Sequence, residues 1–178
     1  MKIIEKIKPV TAGTKEKNYL YVIKDNYFKF WLKFIYSYYS EIAENLEEHA
    51  SFIEKEYNSY MGGIFEEFCR RFLMESGIFS FSKIGKWWHN DCELDVVLIN
   101  EKDNEIFLGE CKWKDNINSG EMAADLYKKS KNVIWKNENR GESFIVFAKS
   151  FSKRIKEFEG KKVYCFDLKD IEKILKHK

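Results

Sequence analysis

The stretch that decides the fold is residues 93–113, with the sequence ELDVVLINEKDNEIFLGECKW. Two apolar runs, residues 93–99 and 105–113, have the composition of β-strands, and the polar tetrapeptide 101–104 between them is typical of a hairpin loop. A four-residue loop fixes the pairing of the strands, because every partner is then counted outward from the loop. The sequence therefore predicts an antiparallel hairpin with a defined register.

That register brings charged side chains together. Asp95 is expected directly opposite Glu110, and Glu93 opposite Lys112. Side chains alternate along a strand, so Glu110 and Lys112 share one face while Cys111 points away. A slip of one residue would place Asp95 opposite Cys111 and would disperse the group. The simplest hairpin thus predicts a compact group of an aspartate, a glutamate and a lysine.

The pair Asp95 and Glu110 has the chemistry of a site for a divalent cation. Two neighbouring carboxylates repel each other unless a cation neutralises them, and oxygen ligands suit Mg²⁺ or Mn²⁺. Lys112 beside them would position a water molecule or stabilise the charge that develops on a phosphate group. This geometry fits metal-assisted phosphodiester hydrolysis. The alternative is a solvated strand face with a cross-strand salt bridge, because the pattern Glu-x-Lys is common.

Hydrophobic periodicity predicts further helices and strands around the hairpin. A helix is expected from a break at Gly62-Gly63 to Gly77, and residues 79–88 form the strand before the hairpin. After the hairpin we expect a helix from Gly120, a buried parallel strand at 144–148, a short helix at 152–158, a strand at 163–166 and an Asp167-capped helix to Leu175. The order is α-β-β-β-α-β-α-β-α, an α/β fold.

The first 60 residues predict two smaller units. Residues 1–25 alternate and turn, which indicates a β-ribbon with a polar tip. Asp25 or Asn26 caps the helix that follows, and an amphipathic segment at 42–57 is its nearest partner. Residues 26–60 therefore predict an aromatic helical hairpin, with a cofactor-binding group of rings as the alternative.

The charge of the chain is uneven. Lys and Arg number 31 and Asp and Glu 29, so the net charge is only +2. Residues 122–178, however, carry 15 basic and 8 acidic side chains, a charge of +7, and the rest carries 16 and 21, a charge of −5. A basic C-terminal third is compatible with a phosphate backbone, and solvated surface lysines are the alternative.

The cysteines and the apolar segments indicate a reduced, cytoplasmic protein. The four cysteines form no C-x-x-C pair and share no spacing with the three histidines, which argues against a zinc site. No secretory signal is recognisable, and the longest aromatic stretch, residues 27–39, contains two lysines and is too short to span a bilayer. We therefore expect cytoplasmic localisation and no membrane partner.

Five sequence blocks carry a family resemblance. They are Tyr21-x-Ile23-x-Asp25-x-x-Phe28-x-Phe30-Trp31, Tyr60-Met61-Gly62-x-x-Phe65-Glu66, Ile84-Gly85-x-Trp87-Trp88, Glu93-Leu94-Asp95-Val96-Val97 and Gly109-Glu110-Cys111-Lys112-Trp113. Together they resemble the uncharacterised C-terminal domain of archaeal and bacterial DEXX-box ATPases. In such proteins an AAA-like ATPase domain and a winged helix come first. Here no G-x-x-x-x-G-K-[ST] occurs and residues 1–23 resemble only the closing wing, so the chain is expected to be a fragment of a longer ATPase or a stand-alone relative.

The pattern Asp-x(n)-Glu-x-Lys on the second and third strands resembles the PD-(D/E)XK phosphodiesterase superfamily. That resemblance implies a restriction-endonuclease-like αβββαβ core, a mixed sheet flanked by helices, over residues 61–178. It also implies roles: Asp95, Glu110 and the helix acid Glu66 bind the metal, and Lys112 acts on water or on transition-state charge. Glu66 is preferred because it matches the Phe-Glu step of the family block, and Glu67 remains the alternative.

The leading hypothesis is therefore a nuclease-like domain that hydrolyses DNA with Mg²⁺ or Mn²⁺, with an ATPase domain as partner in cis or in trans. A homodimer is expected where both strands are cut. The competing hypothesis is a non-catalytic DNA-docking or regulatory module for an ATPase. Its basis is the aromatic hairpin and the acidic segment 41–67. This segment contains eight acidic residues and a single lysine or arginine, Lys55.

Overall fold

The computed structural model describes residues 3–13, 15 and 17–177. The strands in this part of the chain are β1 (Ile4–Ile7), β2 (Leu20–Ile23), β3 (Lys83–His89), β4 (Cys92–Asn100), β5 (Glu105–Lys112), β6 (Ile117–Asn118), β7 (Gly141–Ala148), β8 (Phe151–Lys153), β9 (Glu157–Phe158) and β10 (Lys161–Phe166). The helices are α1 (Asn26–Phe34), α2 (Tyr39–Glu44), α3 (Leu46–Ser76), α4 (Ser119–Ser130) and α5 (Leu168–Lys176), with a 3₁₀ turn at Tyr36–Tyr38.

A mixed sheet with the strand order β3-β4-β5-β7-β10-β9 lies at the centre of the fold. Strands β3, β4 and β5 are antiparallel, whereas β5, β7 and β10 run parallel. Leu126 of α4 belongs to the core on one face of the sheet, and Phe72 of α3 and Ile171 of α5 belong to the core on the other. Neighbouring residues of β4 separate in the same way, with Val97 in the first core and Leu98 in the second. The expected mixed α/β architecture with helices on both faces is confirmed.

The hairpin of β4 and β5 has the expected register. Asn100 pairs with Glu105 across the four-residue loop, and the ladder continues to Val96 and Gly109. Gly109 permits this close approach, because a Cβ there would lie 3.2 Å from the Cβ and the carbonyl oxygen of Val96. Cys111 packs in the core on the α3 side, as the alternation predicts.

The expected break at Gly62-Gly63 is wrong. Helix α3 runs without interruption from Leu46 to Ser76, so the expected boundary between residues 26–60 and 61–178 lies within it. An interior glycine costs a helix about 1 kcal/mol relative to alanine, which is small beside the packing of a helix of this length. The predicted end of the helix is confirmed, because Gly77 adopts the left-handed conformation with φ 67°.

The expected short helix at 152–158 is also wrong. This segment forms two short strands instead: β8 pairs with β6 in a separate two-stranded sheet, and β9 pairs with β10 at the edge of the main sheet. Glu159 and Gly160 both have positive φ, 50° and 72°, and turn the chain tightly between β9 and β10. The strand at 163–166 and the Asp167-capped helix α5 are confirmed.

The N-terminal part of the chain contains a β-ribbon and short helices over its described residues, which leave out residues 1, 2, 14 and 16. β1 and β2 form an antiparallel ribbon, and the Asp25 side chain caps α1 by accepting a hydrogen bond from the Phe28 N–H at 3.0 Å. Aromatic rings join α1 to α3, with Phe34 and Tyr60 at 5.6 Å between ring centroids. This packing holds α1 against α3, and the segment expected at 42–57 is divided between α2 and α3. Among the described residues, no helix combines the length and apolar composition needed to cross a membrane.

Candidate active site

Asp95 and Glu110 lie next to each other at the end of the β4–β5 ladder. Both are buried, with 6% and 7% of their surface exposed. The backbone ladder ends at the pair Val96–Gly109. Beyond it, β4 bonds to β5 through a side chain, because Asp95 Oδ2 accepts a hydrogen bond from the Cys111 N–H at 2.8 Å. The carbonyl of Asp95 accepts a hydrogen bond from Arg70 of α3 at 3.0 Å. The backbone around Asp95 is thus fixed on two sides.

Two lysines hold the Glu110 carboxylate. Lys112 Nζ lies 2.7 Å from Glu110 Oε1, and Lys129 Nζ of α4 lies 2.9 Å from Oε2. Lys129 also pairs with Asp125 at 3.2 Å, one turn earlier on the same helix. The side chain of Lys112 is 45% exposed, whereas that of Glu110 is 9% exposed. The site therefore presents a lysine to solvent above a buried carboxylate.

The two acids of α3 point to different partners. Glu66 forms an ion pair with Lys86 of β3, whereas Glu67 pairs with Lys29 of α1 at 2.8 Å. Lys86 lies where the register of β3 shifts, and such a bulge redirects a side chain. The charges of Glu66 and Lys86 both act on Asp95. The structure thus places Glu66 beside the β4–β5 site and Glu67 against the helical hairpin.

The electrostatics of the site centre on Asp95. Burial, and then the negative charges of Glu110 and Glu66, raise the pKa of Asp95 from 3.8 to about 7. The hydrogen bond from the Cys111 N–H and the charge of Lys86 oppose this increase in the pKa. Within the described part of the chain Asp95 has no ion pair of its own.

The pKa values of the two lysines around Glu110 are also raised, which for a lysine favours the charged form. Burial lowers the pKa of Lys112, but the hydrogen bond and the charge of Glu110 outweigh it, so the pKa lies above its ordinary value. The same balance holds the pKa of Lys129 above its ordinary value, with Asp125 adding to the effect. Both side chains are therefore cations at neutral pH, which suits contact with a phosphate better than proton abstraction.

Sequence reasoning missed Lys86 and Lys129. Lys86 reaches Glu66 from a bulge in β3, and Lys129 reaches Glu110 from the fourth helix. Neither contact has a signal in local spacing, because both join residues about 20 positions apart through tertiary packing. Lys129 does lie in the basic C-terminal third, which is the one sequence feature that points toward it.

The donor set allows a test of the expected metal ligands. Among the described residues, no three His, Cys, Asp or Glu side chains are arranged so as to hold a metal ion, so Asp95, Glu110 and Glu66 do not form a three-ligand site. Mg²⁺, however, is commonly held by one or two carboxylates, with waters and substrate phosphate as the remaining ligands. The pair Asp95 and Glu110 fits that kind of site, with Glu66 next to it.

Comparison with known proteins places the chain in a family. Residues 31–134 match DUF234, which is described as archaeal and bacterial proteins of unknown function. The chain belongs to this family. The DUF234 match includes Glu66, Lys86, Asp95, Glu110, Lys112 and Lys129. The part of the resemblance that concerns archaeal and bacterial proteins of unknown function is therefore confirmed.

A longer archaeal protein is similar to this DUF234 chain over nearly its whole length. The uncharacterized protein MJECL04 of Methanocaldococcus jannaschii is 32% identical over 177 residues, which cover 96% of this chain and 39% of the relative. The chain thus spans about 39% of the length of this curated relative. No solved structure matches the chain.

Proposed function

We propose that this chain carries a metal-dependent phosphodiesterase site that hydrolyses DNA. The observation that carries the proposal is the burial of Asp95 and Glu110 side by side, with Lys112 and Lys129 at Glu110. A buried carboxyl that has neighbours of like charge and no ion pair is costly to a fold. Such carboxyl groups are concentrated at functional sites, where their perturbed pKa serves the reaction.

The roles follow from where the side chains lie. Asp95 and Glu110 would provide oxygen ligands, and Glu66, whose charge acts on Asp95, would orient a ligand water. A bound Mg²⁺ or Mn²⁺ ion would neutralise these carboxylates and polarise the phosphate that is cleaved. Lys112 and Lys129 would turn from Glu110 toward the phosphate and stabilise the negative charge that develops on it. Hydrolysis adds water across one P–O bond, so no further cofactor is required.

The topology supports a restriction-endonuclease-like core. Apart from the two-residue strand β6, which lies outside the main sheet, the order α3, β3, β4, β5, α4, β7 corresponds to an αβββαβ sequence, with the acids on the second and third strands. Glu66 comes from the first helix of this unit and lies beside them. We propose the PD-(D/E)XK assignment on these three features, with Leu94 where the superfamily often has proline.

The greater length of the archaeal relative supports a partner domain. The relative extends well beyond the segment that this chain matches. We propose an AAA-like ATPase domain as that partner, in cis or in trans, and a homodimer where both DNA strands are cut. The basic C-terminal third, which includes Lys129, would supply contacts to the DNA backbone.

Cleavage of plasmid DNA in the presence of Mg²⁺ or Mn²⁺ tests the proposal. Asp95→Ala and Lys112→Ala should each lower the cleavage rate at least about 100-fold, because each removes a group that acts on the reacting phosphate. Lys55→Ala is the control, since Lys55 is an exposed lysine of α3, outside the basic C-terminal third, that has no ion pair among the described residues. DNA binding without cleavage by the wild type under either metal would contradict the hydrolytic function.

A second candidate is a non-catalytic DNA-docking or regulatory module for an ATPase. Its support is a cavity of about 260 Å³ on the helical hairpin, whose lining includes the aromatic rings of Tyr38 and Phe52 and the acids Glu41, Glu44 and Glu48. Acids around aromatic rings favour a basic segment of a protein partner. Lysine substitutions at Glu41 and Glu44 should weaken binding to such an ATPase at least several-fold, measured by calorimetry, while Asp95→Ala should not.

A further inference from the structure

A cavity of about 480 Å³ lies directly beside the candidate active site. This volume is within the range of about 300–1,000 Å³ that is usual for ligand pockets, whereas the cavities of about 210 and 260 Å³ elsewhere are smaller. Its lining includes Lys112, which also contacts Glu110. The other lining residues are Lys114, Asn116, Ile117, Asn118, Glu121, Met122 and Ser152.

The lining combines cations with amide groups. The side chains of Lys114 and Asn116 form no hydrogen bond or ion pair with the described residues, so their ammonium and amide groups are available to a ligand. The Asn118 amide is occupied, because it caps Gly120 and donates to Glu121, and Glu121 is thereby held within the wall. The cavity therefore offers positive charge and hydrogen-bonding groups.

The apolar part of the lining is small. Ile117 comes from β6 and Met122 from α4, and both lie in the same cavity as the lysines. A ligand that is anionic at one end, flat and partly apolar at the other, and able to hydrogen-bond at its edge matches these groups. A nucleotide has these properties, with phosphate for the lysines and a base edge for an asparagine amide.

We propose that this cavity binds an unpaired nucleotide next to the phosphate that is cleaved, so that the substrate is single-stranded or frayed DNA. This inference rests on the proposed function, because it extends the same site. Lys112 lines the cavity and also contacts Glu110, so the cavity lies next to the candidate active site. A base within a duplex is paired and stacked, and it enters such a cavity only after it has left the stack.

Metal-free binding measurements test the cavity separately from hydrolysis. The probes are a fluorescent oligo(dT) strand and a blunt duplex of mixed sequence, and the readout is anisotropy. Wild type should bind the single strand at least several-fold more tightly than the duplex. Lys114→Ala should weaken single-strand binding by about five- to tenfold, since it removes one charged contact to phosphate. Ser152→Trp should weaken it about tenfold or more, because a large ring on exposed β8 fills the cavity.

The control is Lys55→Ala, which should leave both affinities unchanged, because Lys55 is exposed on α3 within the acidic segment 41–67. Circular dichroism melting checks that the Ser152→Trp variant is folded. If that variant is not folded, the effect of Lys114→Ala alone decides whether the cavity binds the single strand. Equal binding of single strand and duplex, with no effect of Lys114→Ala, would overturn the inference.

Cleavage assays separate the two proposals. If Mn²⁺ supports cleavage but a blunt duplex is cut as fast as a single strand, and Ser152→Trp has no effect, the cavity assignment is wrong and the hydrolytic site stands. If no metal supports cleavage while single-strand binding still depends on Lys114, the nucleotide cavity is supported and the hydrolytic function fails.

Discussion

Two carboxylate clusters, one buried and one partly buried, lie at opposite ends of the neighbouring strands β5 and β7. Glu142 stands near the start of β7, opposite Ile106 of β5, whereas Glu110 stands near the end of β5, opposite Val146 of β7. Arg140 donates to Glu142 Oε1 at 2.8 Å, and Lys161 lies 2.6 Å from its Oε2. The two clusters share a sheet, and their glutamate side chains are exposed to a similar degree, yet their electrostatics differ.

The difference is in how each carboxyl is compensated. Burial raises the pKa of Glu142, but the hydrogen bonds and charges of Lys161 and Arg140 outweigh it and hold the pKa below its ordinary value. Arg140 in turn donates to the carbonyls of Ser130 and Val133 and fixes the loop after α4. The Glu142 cluster therefore stabilises the fold, whereas Asp95, with its raised pKa, destabilises it in the ionised form. The contrast separates a structural ion network from a candidate functional site.

The largest expected effect on stability comes from breaking the structural cluster. Glu142→Gln should lower the free energy of unfolding by about 3 kcal/mol, because it leaves the Arg140 charge buried without its carboxylate. The Arg140 side chain is only 3% exposed, so water cannot replace the lost partner. Urea unfolding at pH 7 measures the change. An unchanged unfolding midpoint would show that Glu142 does not support the fold.

Asp95→Asn should have the opposite sign. The folded-state pKa of about 7 lies above the ordinary value of 3.8, so ionisation is disfavoured in the folded protein, and stability falls as the pH rises from about 4 to 7. Asparagine lacks that penalty, so the variant should be more stable than wild type above pH 7 by a few kcal/mol at most, at about 1.4 kcal/mol per pKa unit. Urea unfolding at pH 5 and pH 8 should show a larger difference at pH 8. A variant less stable than wild type at pH 8 would contradict this electrostatic account.

A smaller effect is expected for Lys129→Met. Lys129 competes with a cation for Glu110 Oε2, so its removal should raise the affinity for Mn²⁺ about three- to tenfold. Calorimetry on wild type and variant measures this change. Lys128→Met, on the exposed side of α4, should leave the affinity as it is. A weaker Mn²⁺ affinity in Lys129→Met would mean that the cation does not bind at Glu110.

The hairpin shows what sequence can predict. The polar loop at 101–104 and the alternation beyond it fix the pairing of β4 and β5, and that pairing brings Asp95 to Glu110. The cap of α1 at Asp25 and the end of α3 at Gly77 are local features that the sequence also predicts. All of these depend on residues close together in the chain.

The parts that sequence did not predict depend on distant contacts. Gly62 and Gly63 suggest a break, but tertiary packing keeps α3 continuous through them, and a Cβ at either position would meet no atom within 4 Å. We have no physical reason for glycine at these two positions. At 152–158 the edge pairing of β9 overrides the helical pattern. Lys86 and Lys129 reach the site through a bulge and a helix face, which have no signature in the spacing of charged residues.

The most direct test of the central claim is a crystal structure of the protein grown with Mn²⁺. Our account predicts an anomalous difference peak between the carboxylate oxygens of Asp95 and Glu110, with Lys112 and Lys129 turned away from Glu110. It also predicts that the Glu142 cluster, compensated by its own cations, takes up no ion. An empty Asp95–Glu110 pair at saturating Mn²⁺, with both lysines still bound to Glu110, would contradict the account.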